Sequence, residues 1–163
     1  DLVLAAAQLV KIFPGIRFVM IGDGEDRSVL ERLLKRLGLR SNFILPGWKP
    51  QPEVYLPVFD AVVVPSRWEA LPYVLLDAMA AGCAVVATTV GGMTDAIKDD
   101  ISGLLVEPRS PTALAGALNR MLSDPLFARR LGTNARDWVT NNYPLAGMLQ
   151  RIEKLYLNGM TQA

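Results

Sequence analysis

The stretch SRWEALPYVLLDAMAAGCAVVATTVGG, residues 66–92, contains the features that decide the fold. Glu69 lies just before an apolar helix, Asp77 lies inside that helix, and an apolar strand and a diglycine follow. A second apolar strand precedes the stretch at residues 60–64. Strands that are apolar on both faces and alternate with helices are typical of a parallel sheet covered on both sides.

Outward from this unit, strands and helices alternate along the whole chain. The apolar runs typical of buried strands are residues 16–21, 42–45, 60–64, 84–87 and 103–106. The helical patterns are residues 1–13, 26–37, 72–81, a short helix after Gly92 and three C-terminal helices within 111–158. This order predicts an α/β fold, a doubly wound, Rossmann-like parallel sheet, as one domain over residues 1–163.

Composition narrows the classes of function. The 163 residues are 51% apolar and 20% charged, with a net charge of +1 that would attract neither nucleic acid nor an anionic membrane. The absence of histidine excludes a Ser-His-Asp triad and any histidine-bound metal. The single cysteine, Cys83, excludes an internal disulfide and suits a reducing, cytoplasmic compartment. No apolar run reaches the roughly 18 residues of a membrane span.

Ligands of doubly wound sheets bind beyond the carboxyl ends of the strands, so we expect the functional residues in the loops that follow the strands. Gly22 and Gly24 flank a strand-to-helix turn whose amides could approach a phosphate, although a tight turn explains them equally well. Trp48 follows Gly47 after the next strand and could stack on a nucleobase. Packing beneath its own loop is the alternative that the sequence favours for Trp48.

Glu69 and Asp77 are the strongest candidates for ligand-binding residues in the sequence. The helix over residues 72–81 is apolar on every face except at Asp77, which predicts deep packing and a carboxylate that needs a partner. Tyr73 lies one turn earlier on the same face. Ionised carboxylates only accept hydrogen bonds, so paired hydroxyls of a sugar or ribose suit them. The alternative is that Asp77 binds an arginine or a backbone amide and Glu69 faces solvent.

The start of the Pro72 helix adds free amides and the positive end of a helix dipole to the same cleft. Diphosphate oxygens suit that position, flanked by carboxylates that bind hydroxyls. The combination predicts a site for a nucleoside-diphosphate-sugar.

At this stretch the chain resembles the C-terminal half of retaining family-4, or group 1, glycosyltransferases of the GT-B fold. The matching residues are Pro65, Ser66, Glu69, Ala70, Leu71, Pro72, Ala78, Met79, Ala80, Gly82, Val85, Val86, Ala87, Thr88, Val90, Gly91 and Gly92. The likeness extends to the Gly22 turn, the loop at Gly47 and residues 103–108.

The resemblance implies a donor site that works without a bound metal ion or a cofactor. Glu69 would contact the transferred sugar as the catalytic residue, and Asp77 would hold the ribose hydroxyls. The rest of the donor site would be formed by Ala70, Leu71, Pro72, Tyr73, Gly22, Gly24, Gly47, Trp48 and Lys49. The donor would be a nucleoside-diphosphate-sugar, and its sugar would be transferred with retention of configuration.

Two departures from the family pattern limit this reading. Asp77 is one methylene shorter than the usual Glu at its position. The family's C-terminal domain also opens with a strand, an Arg and a Lys-Gly pair, whereas this chain begins after them. In the strand order 3-2-1-4-5-6, loss of that strand would leave residues 16–21 and 60–64 without their shared neighbour. We therefore expect a piece of a longer protein that is inactive without its N-terminal acceptor domain.

Alternatives stay open at this point. One alternative is a catalytically degenerate nucleotide-sugar-binding module. The other is a GT-B nucleotide-sugar epimerase. The epimerase is less favoured because such enzymes typically use histidines in this half, and this chain has none. For the enzyme, the expected acceptor is a glycan or lipid-linked molecule bound through the N-terminal domain. That domain would also permit peripheral contact with the inner face of the membrane.

Overall fold

The computed structural model describes the backbone of residues 1–160 and the side chains of residues 1–158. The strands are β1 (Phe18–Ile21), β2 (Phe43–Gly47), β3 (Val62–Val64), β4 (Val85–Thr88) and β5 (Leu104–Val106). The helices are α1 (Leu2–Leu9), α2 (Arg27–Arg36), α3 (Tyr73–Ala80), α4 (Met93–Ala96), α5 (Pro111–Ser123), α6 (Pro125–Asn142) and α7 (Leu145–Met160). Short 3-10 helices occupy Arg40–Asn42 and Pro52–Val58.

Every strand pairing is parallel, as predicted, but the strands form two sheets. β1 pairs with β2, and β3, β4 and β5 pair in that order. Within residues 1–160, β1 and β3 have no strand between them and do not pair with each other. This arrangement confirms the prediction that these two strands lack a shared neighbour.

Helices cover both faces of the three-stranded sheet, which confirms the doubly wound architecture. Successive side chains of β4 point to opposite faces. Val86 belongs to the apolar cluster that includes α1 and α5, whereas Val85 and Ala87 belong to the cluster that includes α3 and α6. All four residues of β4 are buried, as expected for a central strand.

Local signals place several helix ends correctly. Ser110 and Asp124 cap α5 and α6, accepting hydrogen bonds from the amides of Ala113 (3.4 Å) and Phe127 (2.9 Å). Gly38 ends α2 with a φ of 69°, and its amide and that of the next residue bond back into the last turn.

One predicted helix is shorter in the structure, and another forms with an exposed apolar face. α1 ends at Leu9 rather than at residue 13, because the chain continues in tighter turns in which Lys11 and Ile12 donate to carbonyls three residues back. α7 forms as predicted, but its apolar side chains are exposed. These are Leu145, Met148, Leu149, Ile152, Leu155 and Tyr156.

Candidate functional site

Within each of the two sheets the strands run in parallel, so the loops that follow β1 and β2 lie at one edge, and so do the loops that follow β3, β4 and β5. The first two loops are joined directly. The amide of Gly22 donates to the carbonyl of Gly47 at 3.0 Å, and Asp23 Oδ1 accepts from the amide of Gly24 at 2.9 Å. Gly22 and Gly24 are exposed, so the structure leaves this turn open to a ligand.

Trp48 points into solvent. The residue is 72% exposed, so the expectation that it packs beneath its loop is wrong. The physical reason is that β2 ends at Gly47, whose φ of 75° lies outside the range of a strand, so Trp48 lies beyond the paired part of the sheet. Lys49 follows and is half-buried. An exposed indole beside a lysine leaves the base-stacking role predicted for this loop open.

Glu69 is half-buried in the loop between β3 and α3. Its Oε1 accepts a hydrogen bond from the amide of Ala70 at 3.1 Å, so the carboxylate is oriented by its own loop rather than free in solvent. The carbonyl of Ala70 in turn accepts from the amide of Gly92. The loop bearing Glu69 therefore rests on the diglycine that follows β4.

Gly91 makes that contact possible. It has a φ of 52°, and a Cβ added to it would lie 1.8 Å from the carbonyl oxygen of Glu69 and 2.6 Å from that of Ala70. Both the backbone conformation and the close approach require glycine. The sequence motif contained Gly91, but its contact with Glu69 is visible only in the structure.

Two further contacts hold this loop and were not predicted. The Oγ1 of buried Thr88 donates to the carbonyl of Ser66 at 2.6 Å and ties the ends of β3 and β4 together. Arg67 donates through Nε and Nη2 to the Asp1 carboxylate, each at 3.2 Å, which joins the loop to the start of α1. Asp1 and Arg67 are 66 positions apart, and no sequence pattern relates them.

The expectation that α3 is deeply packed is wrong. Leu75, Ala78 and Met79 are buried, but Asp77 is exposed and Tyr73 is 77% exposed. α3 packs against α6 and the 3-10 helix at residues 52–58, which cover only part of its surface. Asp77 therefore does not need an internal partner, and its carboxylate is accessible from outside.

The environment of Asp77 disfavours its charged form. Partial desolvation, together with the nearby charge of Glu53, raises the pKa of Asp77 above its ordinary value of 3.8. The folded state thus holds this proton more tightly than the unfolded state, and the associated stability is lost as the pH rises through the raised value.

We expect the Asp77→Asn variant to melt at a higher temperature than the unaltered protein at pH 7, because it removes that unfavourable charge. The gain should shrink as the pH falls toward 3.8. Thermal denaturation between pH 7 and pH 4 measures it. In a Glu53→Gln background the gain should also be smaller, and a lower melting temperature for Asp77→Asn at pH 7 would contradict this account.

The amino end of α3 lies between the two acidic residues in sequence. Pro72 precedes the helix and supplies no side-chain cap, and its carbonyl accepts a hydrogen bond from the amide of Leu75 at 3.0 Å. The amides of the first turn and the positive end of the helix dipole thus fit an anion. Of the predicted donor residues, Ala70 is exposed and Leu71 and Pro72 are half-buried beside this end.

The predicted residues form two connected groups. One comprises the Gly22–Gly24 turn and Gly47, and the other comprises Glu69, Ala70 and the diglycine. Within the described residues, no hydrogen bond joins one group to the other. The same part of the chain contains no group of three His, Cys, Asp or Glu residues placed to hold a metal ion, and the prediction of a metal-independent site stays a prediction.

Comparison with known proteins identifies the family. Residues 1–138 match the family model described as "Glycosyl transferases group 1". The chain belongs to the group 1 glycosyltransferases. The resemblance and the fold class inferred from the sequence are thereby confirmed.

Named relatives of this group 1 glycosyltransferase chain include enzymes of different specificity. It is 31% identical over 154 residues to the alpha-D-kanosaminyltransferase of Streptomyces kanamyceticus, covering 93% of this chain and 40% of the relative. It is 26% identical over 148 residues to the UDP-Gal:alpha-D-GlcNAc-diphosphoundecaprenol alpha-1,3-galactosyltransferase of Escherichia coli. That match covers 90% of this chain and 38% of the E. coli enzyme. The group 1 chain thus spans about two fifths of these relatives.

Solved structures agree with the fold. The sucrose-phosphate synthase of Thermosynechococcus elongatus superposes with a TM-score of 0.89 at 27% identity, covering 99% of the group 1 chain and 43% of the synthase. The C-terminal domain of the group 1 protein LpcC from Francisella tularensis gives a TM-score of 0.79 at 32% identity, covering 88% of the group 1 chain and 77% of the LpcC domain.

In the described residues, no helix combines the length and apolar character needed to cross a membrane.

Proposed function

We propose that this chain is the donor-binding domain of a glycosyltransferase that moves a sugar from a nucleoside-diphosphate-sugar to an acceptor with retention of configuration. The observation that carries the proposal is the loop between β3 and α3. There an oriented carboxylate, Glu69, precedes a helix start without a side-chain cap, and an accessible carboxylate, Asp77, follows one turn later. Family membership and the E. coli relative, whose name includes a UDP-sugar, support the donor class.

Each group has a distinct role in the proposed reaction. Glu69 contacts the sugar and favours the charge that develops on it as its bond to the diphosphate breaks. The amides at the start of α3 bind the departing diphosphate oxygens, which gain negative charge in the same step. Asp77 accepts hydrogen bonds from the ribose hydroxyls, and Trp48 stacks on the base. No metal ion or cofactor is assigned to this chemistry.

The acceptor is proposed to bind to an N-terminal domain outside this chain. We propose a glycan or lipid-linked acceptor, and the E. coli relative, whose name includes a diphosphoundecaprenol-linked sugar, supports the lipid-linked case. We place the protein in the cytoplasm, at the inner face of the membrane when the acceptor is lipid-linked. The single free cysteine, Cys83, which is buried, supports a reducing compartment.

Ligand-observed NMR on the full-length protein with uridine-, guanosine- and adenosine-diphosphate sugars tests the proposal. We expect one of the three donors to bind, and the Asp77→Glu variant to bind it equally well or better, because the longer side chain restores the residue usual in the family. A large loss of binding in Asp77→Glu would exclude the ribose role. Failure of all three donors to bind would overturn the donor site.

A binding module that no longer catalyses is the second candidate, and Asp77 is the observation that favours it. Such a module would bind the donor in the NMR experiment, but the full-length protein would neither transfer nor hydrolyse the sugar. Donor turnover by the full-length protein separates the two candidates.

A further inference from the structure

Arg27, the first residue of α2, connects three separate parts of the structure. Its Nη1 donates to Asp23 Oδ2 at 3.3 Å, its Nε to Glu31 Oε1 at 3.2 Å, and its Nη2 to the carbonyl of Leu45 at 3.1 Å. The side chain is 36% exposed, so the guanidinium is partly shielded from water. One planar cation thereby joins the turn after β1, the body of α2 and the end of β2.

The two parts that Arg27 joins to α2 both carry predicted donor residues. Asp23 sits between Gly22 and Gly24 and uses its other oxygen to accept from the amide of Gly24. Leu45 lies in β2, two residues before Gly47, and a Cβ added to Gly47 would lie 3.7 Å from both Arg27 Nη1 and Asp23 Oδ2. The Arg27–Asp23 pair is therefore packed against the backbone from which Trp48 emerges.

We propose that Arg27 is a positioning residue for donor binding, which holds the Gly22–Gly24 turn and the Gly47–Lys49 segment at a set spacing. This inference rests on the proposed function. Arg27 acts through Asp23 and the Leu45 carbonyl and has no assigned contact with the donor. A guanidinium suits the task because its donors diverge in a rigid plane, whereas a lysine ammonium cannot reach three such partners at once.

The test measures donor binding by the intact protein, with uridine, guanosine and adenosine diphosphates as probes in calorimetry. For the probe that binds the unaltered protein, Arg27→Ala should weaken affinity about ten-fold, because misplaced binding loops lose much of their pre-organisation. Arg27→Lys should recover part of the loss. Arg32→Ala removes the same charge from an exposed position of the same helix and should leave affinity unchanged.

Hydrogen exchange provides a second readout. The Gly22 amide, which bonds to the Gly47 carbonyl, should exchange faster in Arg27→Ala and Arg27→Lys than in Arg32→Ala, because the spacing of the two segments is no longer held. If folded Arg27→Ala binds the probe as tightly as the unaltered protein does, the positioning role alone is overturned. If Arg27→Ala does not fold, the same comparison is made with Arg27→Lys. Failure of the unaltered protein to bind any probe would overturn the proposed function and this inference with it.

Discussion

Replacing Glu69 with alanine is expected to slow sugar transfer by the full-length enzyme about 1000-fold, the scale seen when one preorganised electrostatic contact to a transition state is removed. The carboxylate is oriented by the Ala70 amide at the start of the loop that leads into α3, where the sugar is proposed to lie. Its charge matters most when the sugar becomes positive. Initial rates with radiolabelled donor measure the effect.

The diphosphate should still bind to this variant, because its proposed contacts are amides of α3 rather than the Glu69 side chain. Glu69→Gln keeps the size and an oxygen that can accept from Ala70, so a similar loss there would assign the effect to charge. Glu153→Ala, at an exposed position of α7 away from the strand ends, is the matched control and should transfer normally. If Glu69→Ala transfers sugar at a rate within about three-fold of normal, the catalytic role is contradicted. A three-fold change in rate corresponds to less than about 1 kcal/mol of activation free energy.

Replacing Gly91 with alanine is expected to lower the free energy of unfolding by about 3 kcal/mol and to abolish donor binding. The new Cβ would lie 1.8 Å from the Glu69 carbonyl oxygen, and the backbone φ of 52° already disfavours any side chain. The loop carrying Glu69 must move, because the obstructing atom is backbone and cannot rotate away. Urea denaturation and donor titration by NMR measure the two effects.

Gly116→Ala is the control for this substitution. Gly116 lies within α5, and a Cβ there would meet nothing within 4 Å, so alanine should stabilise the protein by about 0.5–1 kcal/mol. Unchanged stability and donor affinity in Gly91→Ala would show that the loop adapts without cost, contrary to the contact described here.

Much of the architecture could be predicted because its signals are local. Continuous apolar runs predicted five parallel strands, and the starts of α5 and α6 each coincide with a capping residue directly before a proline. These patterns depend on residues a few positions apart, whose backbone preferences and hydrogen bonds are set by near neighbours. Strand order then placed Glu69 at the carboxyl edge without knowledge of any contact.

The surroundings of each candidate residue depend on how whole elements pack, which the sequence pattern did not predict. The apolar sequence of α3 predicted burial on all sides, yet α6 and residues 52–58 cover part of it and leave Asp77 accessible. Trp48 is exposed for a similar reason, since β2 ends at Gly47.

The order of strands and helices, the family and the loop that bears Glu69 could all be inferred from the amino-acid sequence. The approach of Gly91 to Glu69, the pairing of Arg67 with Asp1 and the three contacts of Arg27 became visible only in the folded chain. Apart from the helical pair of Arg27 with Glu31 and its contact with Asp23, these contacts join residues far apart in the chain. Their geometry follows from how whole elements pack, which no local pattern specifies.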